Sequence, residues 1–244
     1  MRLILTTETR LLLRDWPPLI FVMGLPLALL LLLGSIPTFS QPTQDLGGQS
    51  VNQTHMPAMM TMLAMMTLAF TVLPTVLTLY RERGILRRIS TTPASPMKIL
   101  TAQLVINVVL GIISTTLLIV CGRLVLGTAM PKAPLWFALT FVLGSAALMA
   151  MGLVIAAVSP TAKATSGIGS VVMFPLMFVA GMWLPREQMP EILQRISDFS
   201  IAGPFGQGMR DAWAGNPPQL LHVVVLVVGI LVFGGLAVRL FRWE

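Results

Sequence analysis

Six stretches of this chain, each about 20 residues long, contain no Asp, Glu, Lys or Arg. They run Leu19 to Ile36, Pro57 to Leu79, Ile99 to Gly122, Leu135 to Val158, Gly167 to Leu184 and Leu220 to Val238. A helix of ~20 apolar residues crosses a hydrocarbon core ~30 Å thick, so each stretch reads as a membrane span. The runs of Leu, Val, Ile, Met and Ala do not alternate in polarity, as the short strands of a barrel would. The expected fold is therefore all-α, a single polytopic unit over residues 1–244 with six transmembrane helices. Composition supports this, since 55% hydrophobic residues and a mean hydropathy of +0.85 exceed what a soluble domain of 244 residues can bury.

Lys and Arg concentrate in cytoplasmic loops near span ends, which orients the bundle. An N-terminus inside puts Met1 to Pro18, Tyr80 to Lys98, Ser159 to Ser166 and the tail from Arg239 on the cytoplasmic face. The whole formal charge of +7 then lies on that face, while Arg123, Lys132, Arg186, Arg195 and Arg210 cancel Asp45, Glu187, Glu191, Asp198 and Asp211 elsewhere. The pI of 11.1 thus reports topology and anionic lipid headgroups, with no nucleic-acid partner expected. The expected location is the cell membrane, with both termini cytoplasmic. The first apolar run has the outline of a secretion signal, but it exceeds the ~7 to 15 residues of a signal core and five spans follow, which favours a retained span. Ahead of it, Leu5, Leu12 and Trp16 fall on one helical side and Thr6, Arg10 and Arg14 on another, so Arg2 to Trp16 reads as an interfacial helix.

The spans offer almost nothing ionisable beyond His222 and Cys121. Ion-coupled carriers and proton relays need intramembrane carboxylates, histidines or bases, and a hydrolase or metalloenzyme needs a cluster of such groups. His55 and His222 lie far apart in sequence and read as interfacial polar residues. No catalytic residue and no metal site is expected. A source of energy must then come from outside the spans, and the chain lacks the G-x-x-x-x-G-K-[ST] phosphate loop of an ATPase. A separate ATPase would have to dock on the basic face.

The stretch "YRERGILRRISTTPASPMKIL", Tyr80 to Leu100, suits that docking. Gly84 to Ile89 can form a short helix with Ile85, Leu86 and Ile89 on one side and Arg87 and Arg88 on the other. Residues before Pro93 are driven out of helical geometry, and Ser95 with Pro96 can start the next helix. A simple positive-inside anchor would explain the arginines but not the apolar face or the double proline stop.

These residues resemble the membrane subunits of type-2 ATP-binding cassette exporters. The first cytoplasmic loop of that family reads Glu-Arg-(Glu)-x-Gly-(Thr)-Leu and later Thr-Pro-x-Ser, matched here by Glu82, Arg83, Gly84, Leu86, Thr92, Pro93 and Ser95. Tyr80 stands where a first acid is common, and Ile85 replaces the usual Thr. A second resemblance lies in "AGMWLPREQMPEILQRISDFSIAGPFGQGMRDAWAG", where Gly181, Pro185, Met189, Pro190, Pro204, Arg210 and Gly215 keep the family's spacing. The resemblance implies a permease without its own ATP site, working as a homodimer or with a related subunit and binding two copies of an ABC ATPase that carries ATP and Mg. It implies coupling through Glu82, Arg83, Gly84, Ile85, Leu86, Arg87, Arg88 and Ile89, with Glu82, Arg87 and Arg88 making polar contacts and Ile85, Leu86 and Ile89 filling a groove. It also implies re-entrant half-helices within the outer segment 185–219, around Pro185, Pro190, Pro204 and Arg210.

Within that segment Ile192, Leu193, Ile196 and Phe199 recur at helical spacing, as in a helix lying shallowly in the outer leaflet, or else a surface loop packed on the bundle. The methionines Met56, Met59, Met60, Met62, Met65 and Met66 crowd the start of the second span. Adaptable packing explains them better than Cu(I) binding, because only His55 is adjacent. The resemblance places this span at the dimer axis, which makes Met59, Met62 and Met66 candidates for a cargo route. Asn52-Gln53-Thr54 is a bare glycosylation pattern, Cys121 is the sole cysteine, and the loop Thr38 to Met56 reads as a solvated connection. The expected function is ATP-driven export of a hydrophobic or amphiphilic molecule such as a drug, antibiotic, lipid or glycolipid. Alternatives are export of polysaccharide intermediates and a non-transporting scaffold, which would tolerate disruption of the loop.

Overall fold

Every apolar window becomes a helix, and most of the helices run past the window that announced them. The computed structural model describes residues 2–14, 16–41, 50–85, 88, 97–183 and 186–240. After α1, Arg2–Arg14, come α2 Trp16–Gly34, α3 His55–Glu82, α4 Met97–Leu126, α5 Pro134–Val158 and α6 Ala162–Val179. Two shorter helices follow, α7 Glu191–Phe199 and α8 Ala202–Ala214, and then α9 Leu220–Leu240. Among the described residues six helices, α2 to α6 and α9, are long and apolar enough to cross a membrane.

The largest difference from the sequence windows is at α6, which starts at Ala162 instead of Gly167 and ends at Val179 instead of Leu184. Thr161 is the reason for the early start: its extended backbone and its Oγ1, which accepts from Ala164 N at 3.1 Å, make a helix N-cap. The early end comes with Gly181, whose φ of 84° turns the chain out of the helix.

α3 occupies the centre. It packs against α2, α4, α5, α6 and α8, and 78% of its span is buried, against 22% for α2 and α9 and 17% for α6. In lipid, apolar surface alone does not drive helices together, so close approach of backbones carries the packing.

Two prolines organise that approach. Pro26 and Pro74 each follow a π-helical turn, Ile20–Gly24 in α2 and Leu68–Val72 in α3. A proline offers no N–H to the carbonyl four residues back, and its ring crowds that carbonyl. The residue before each proline bonds one step further back instead, Leu25 N–H to Ile20 O and Leu73 N–H to Leu68 O. The released carbonyls meet neighbouring helices. Val22 O accepts from Ser114 Oγ of α4 at 3.0 Å. Ala69 O and Phe70 O face Gly152 of α5 and Gly169 of α6 so closely that a Cβ on either glycine would sit 1.9 Å from the oxygen.

α7 is the amphipathic helix expected from Ile192, Leu193, Ile196 and Phe199, but Ile192, Ile196 and Phe199 point away from the bundle and Ser197 is its buried residue. α8 is the reverse, with every residue from Ala202 to Met209 buried. Its far end is held by Trp213 Nε1, which donates to Ala129 O at 2.8 Å, and closed by Gly215 in the left-handed region at φ 102°.

Candidate functional site

The last turn of α3 carries Thr78, Tyr80, Arg81 and Glu82, and it lies against the turn that joins α5 to α6. A helix leaves unbonded carbonyls at its C-terminus and unbonded N–H groups at its N-terminus, with partial charges of opposite sign. Arg81 answers the first kind. Its Nη1 donates to Ala156 O at 3.1 Å and to Ala157 O at 3.3 Å, and its Nη2 donates to Ser159 O. Glu82 answers the second, its Oε1 accepting from Ala162 N, the first amide of α6, at 3.0 Å. About one turn deeper, Thr165 Oγ1 donates to Thr78 Oγ1 at 3.1 Å with both side chains buried.

A second junction sits at the same end. Glu8 projects from the face of α1 that also carries Leu5 and Leu12, and its Oε2 accepts from Tyr80 Oη at 2.5 Å and from Gln103 Nε2 at 2.6 Å. One carboxylate thus joins α1, α3 and α4. Arg10 and Arg14 stay exposed on the other side of α1.

Beyond Glu82 the chain turns at Gly84, whose φ of 65° is left-handed and where a Cβ would meet no described atom within 4 Å. Arg88 N donates to Gly84 O at 3.0 Å. Glu82, Arg83 and Arg88 are exposed and Ile85 is half-buried. Leu86, Arg87 and Ile89 lie outside the described residues, as do Pro93, Ser95 and Pro96.

At the opposite end the charges meet one another. Arg186 and Asp198 form a two-pronged pair, Nε to Oδ1 at 3.0 Å and Nη2 to Oδ2 at 2.6 Å, and His222 Nε2 is 3.7 Å from Asp198 Oδ1. This ties the segment after α6 to α7 and to the start of α9. Arg210 donates through Nη2 to Gln207 Oε1 at 2.5 Å within α8. Pro190 stands at the N-terminal boundary of α7 and Pro204 is buried in the first turn of α8, while Pro185 lies outside the described residues.

Met59, Met62 and Met66 are buried inside the chain, Met62 and Met66 completely. A Cβ on Gly206 of α8 would lie 3.2 Å from Met62 Sδ and 3.3 Å from Met59 Cε. The methionine-rich part of α3 and the helix that carries Pro204 and Arg210 are therefore one packed unit.

Several of these residues escape a reading by composition. The hydrogen bonds of Arg81 to described residues go to backbone carbonyls, so no charge partner advertises it. Glu8 had a detectable signal, because a carboxylate placed between Leu5 and Leu12 at helical spacing must face inward with them. Gln103 and Asn107 had one too, as amides inside an apolar span.

The chain matches the family described as ABC-2 type transporter over residues 1–214. It is also similar to "Putative transport permease YvfS" of Bacillus subtilis (strain 168), at 26% identity over 154 residues. That similarity covers 63% of this chain and 62% of the relative, so the match spans less than two thirds of the relative's length. The family match takes in α1, the first five spans and both short helices, and this multi-pass membrane protein belongs to the ABC-2 type transporter family.

Proposed function

We propose that the chain is the membrane-spanning permease subunit of an ATP-driven exporter, powered by a separate ATPase that docks on the 80–98 loop. The observation that carries this reading is the root of that loop. An exposed basic segment with Glu82, Arg83 and Arg88 leaves the end of the most buried span, where side-chain bonds already join α1, α3, α4, α5 and α6. A push delivered there reaches five helices at once. In this reading Arg83, Arg87 and Arg88 with Glu82 meet polar groups of the ATPase, while Ile85, Leu86 and Ile89 enter its groove.

The complex holds two permease chains, identical or related, and two ATPase copies that carry ATP and Mg. The exposed apolar faces of α2, α6 and α9 supply surface for lipid and for the second chain. The termini and the 80–98 loop lie in the cytoplasm and the Arg186–Asp198–His222 end lies outside, in keeping with the side that bears the basic residues. Spans without Asp, Glu, Lys or Arg favour a hydrophobic or amphiphilic cargo, and the methionines of α3 together with α8 re-entering from outside would form its adaptable route.

The test begins with purification of the tagged chain in mild detergent, identification of a stoichiometric phosphate-loop protein, and reconstitution of the pair in vesicles. ATP hydrolysis stimulated by amphiphiles, and lost together with ATPase capture when Arg83 and Arg88 are changed to Glu, is the expected result. Transport by the purified chain alone, without an ATPase, overturns the reading.

A further inference from the structure

The α5–α6 turn is held from outside by two consecutive residues that do opposite things. Arg81 closes the negative end of α5 on the carbonyls of Ala156, Ala157 and Ser159, and Glu82 closes the positive end of α6 on Ala162 N–H. Neighbouring residues on a helix point about 100° apart. A single turn satisfies both only by lying across the end of α3, with the departing carbonyls on one side and the arriving amides on the other. The buried Thr78–Thr165 bond fixes the same two elements about one turn deeper. Gly84, left-handed and with no described atom within 4 Å of where a Cβ would sit, comes two residues after Glu82 and marks where this fixed part stops and the loop begins.

We infer that Arg81 and Glu82 are positioning residues that fasten the α5–α6 hairpin to the root of the 80–98 loop, so that ATPase movement at the loop displaces α5 and α6 together with α3. The inference rests on the docking role proposed above for that loop. It assigns Glu82 a second duty toward its own chain, apart from any contact with the ATPase. Without the clamp, the ATPase would still bind and hydrolyse ATP, but its motion would reach α5 and α6 only through the packing deeper in the bundle.

One substitution separates the two duties of Glu82. Ala162→Pro removes the amide that Glu82 holds and leaves the docking loop untouched. Proline is well accepted at the first position of a helix, and the extended backbone of Thr161, φ −138° and ψ 155°, suits a residue before proline. In vesicles holding the permease with its co-purified ATPase, Ala162→Pro should leave ATPase capture and basal hydrolysis unchanged. Cargo moved per ATP should fall by about tenfold, the factor that a lost charge-assisted hydrogen bond supports. Glu82→Gln, which keeps an accepting Oε1, should retain most of the ratio, and Arg81→Ala should lower it as Ala162→Pro does. A merely structural role would lower thermal stability without moving the cargo-to-ATP ratio. An unchanged ratio in Ala162→Pro and Arg81→Ala overturns the clamp while leaving the exporter reading intact. Loss of ATPase capture in Ala162→Pro also overturns it, because the turn would then be a direct contact of the ATPase. Failure of the native chain to capture any ATPase removes the exporter reading and the clamp with it.

Discussion

α3 and α6 lie side by side, yet 78% of one span is buried and only 17% of the other. Both are apolar throughout the membrane, with mean hydropathies of 2.0 and 1.4, so greasiness does not explain which is central. What differs is the distribution of small and polar atoms. α6 offers one narrow inward strip, with Thr165 and Gly169, and exposes Val171 and Phe174 to its surroundings. α3 has no such strip, because its methionines, Phe70 and released carbonyls meet neighbours on all sides. The contrast teaches that in a lipid-soluble chain the neighbours of a helix are chosen by shape and by backbone polarity.

The contrast can be broken most directly with cavities. Met62→Ala should cost about 2 to 5 kcal/mol in unfolding from mixed micelles, whereas Phe174→Ala, at a site 57% exposed, should stay within about 0.5 kcal/mol. Equal losses would mean that burial in α3 is not the source of its stability. The glycine strip sharpens the contrast within α6 itself. Gly169→Ala forces a Cβ onto Phe70 O and should cost about 1 to 3 kcal/mol, while Gly167→Ala, with open space around it, should be neutral or slightly stabilising in the same assay. The smallest effect belongs to the hydroxyl pair. Thr165→Val should lose about 0.5 to 1.5 kcal/mol, and Ser166→Ala on the exposed side should leave the unfolding curve in place.

The spans were readable because ~20 uncharged residues in a row leave a chain few choices. The start of α6 was less so, since Lys163 looks like loop until Thr161 is seen to cap a helix that snorkels the lysine outward. Arg81 and Glu82 were visible as charges, but their partners are main-chain atoms some 75 to 80 residues away, and counting charges finds only other charges. Asp198 and Arg186 were visible as members of a neutral set, without the local spacing that would pair them. α8 was the hardest to place, because Gly203, Gly206, Gly208 and Pro204 read as interruptions. In the fold the same glycines let it press against Ser197, Met62 and Thr140.

The π turn at Leu68–Val72 has a consequence for the phase of α3. Such a turn accommodates one residue more than an α-helical turn, and each residue rotates the helix by about 100°. The half of α3 that carries the methionines and the half that carries Thr78, Arg81 and Glu82 are therefore set in different angular registers by a single residue. Tightening Leu68–Val72 to ordinary α-helical pitch without removing a residue, as Pro74→Ala would permit, would swing Arg81 and Glu82 about 100° around the axis, away from the α5–α6 turn. The bearing of the loop root toward its neighbours is thus written some ten residues away, in a stretch that carries no charge at all.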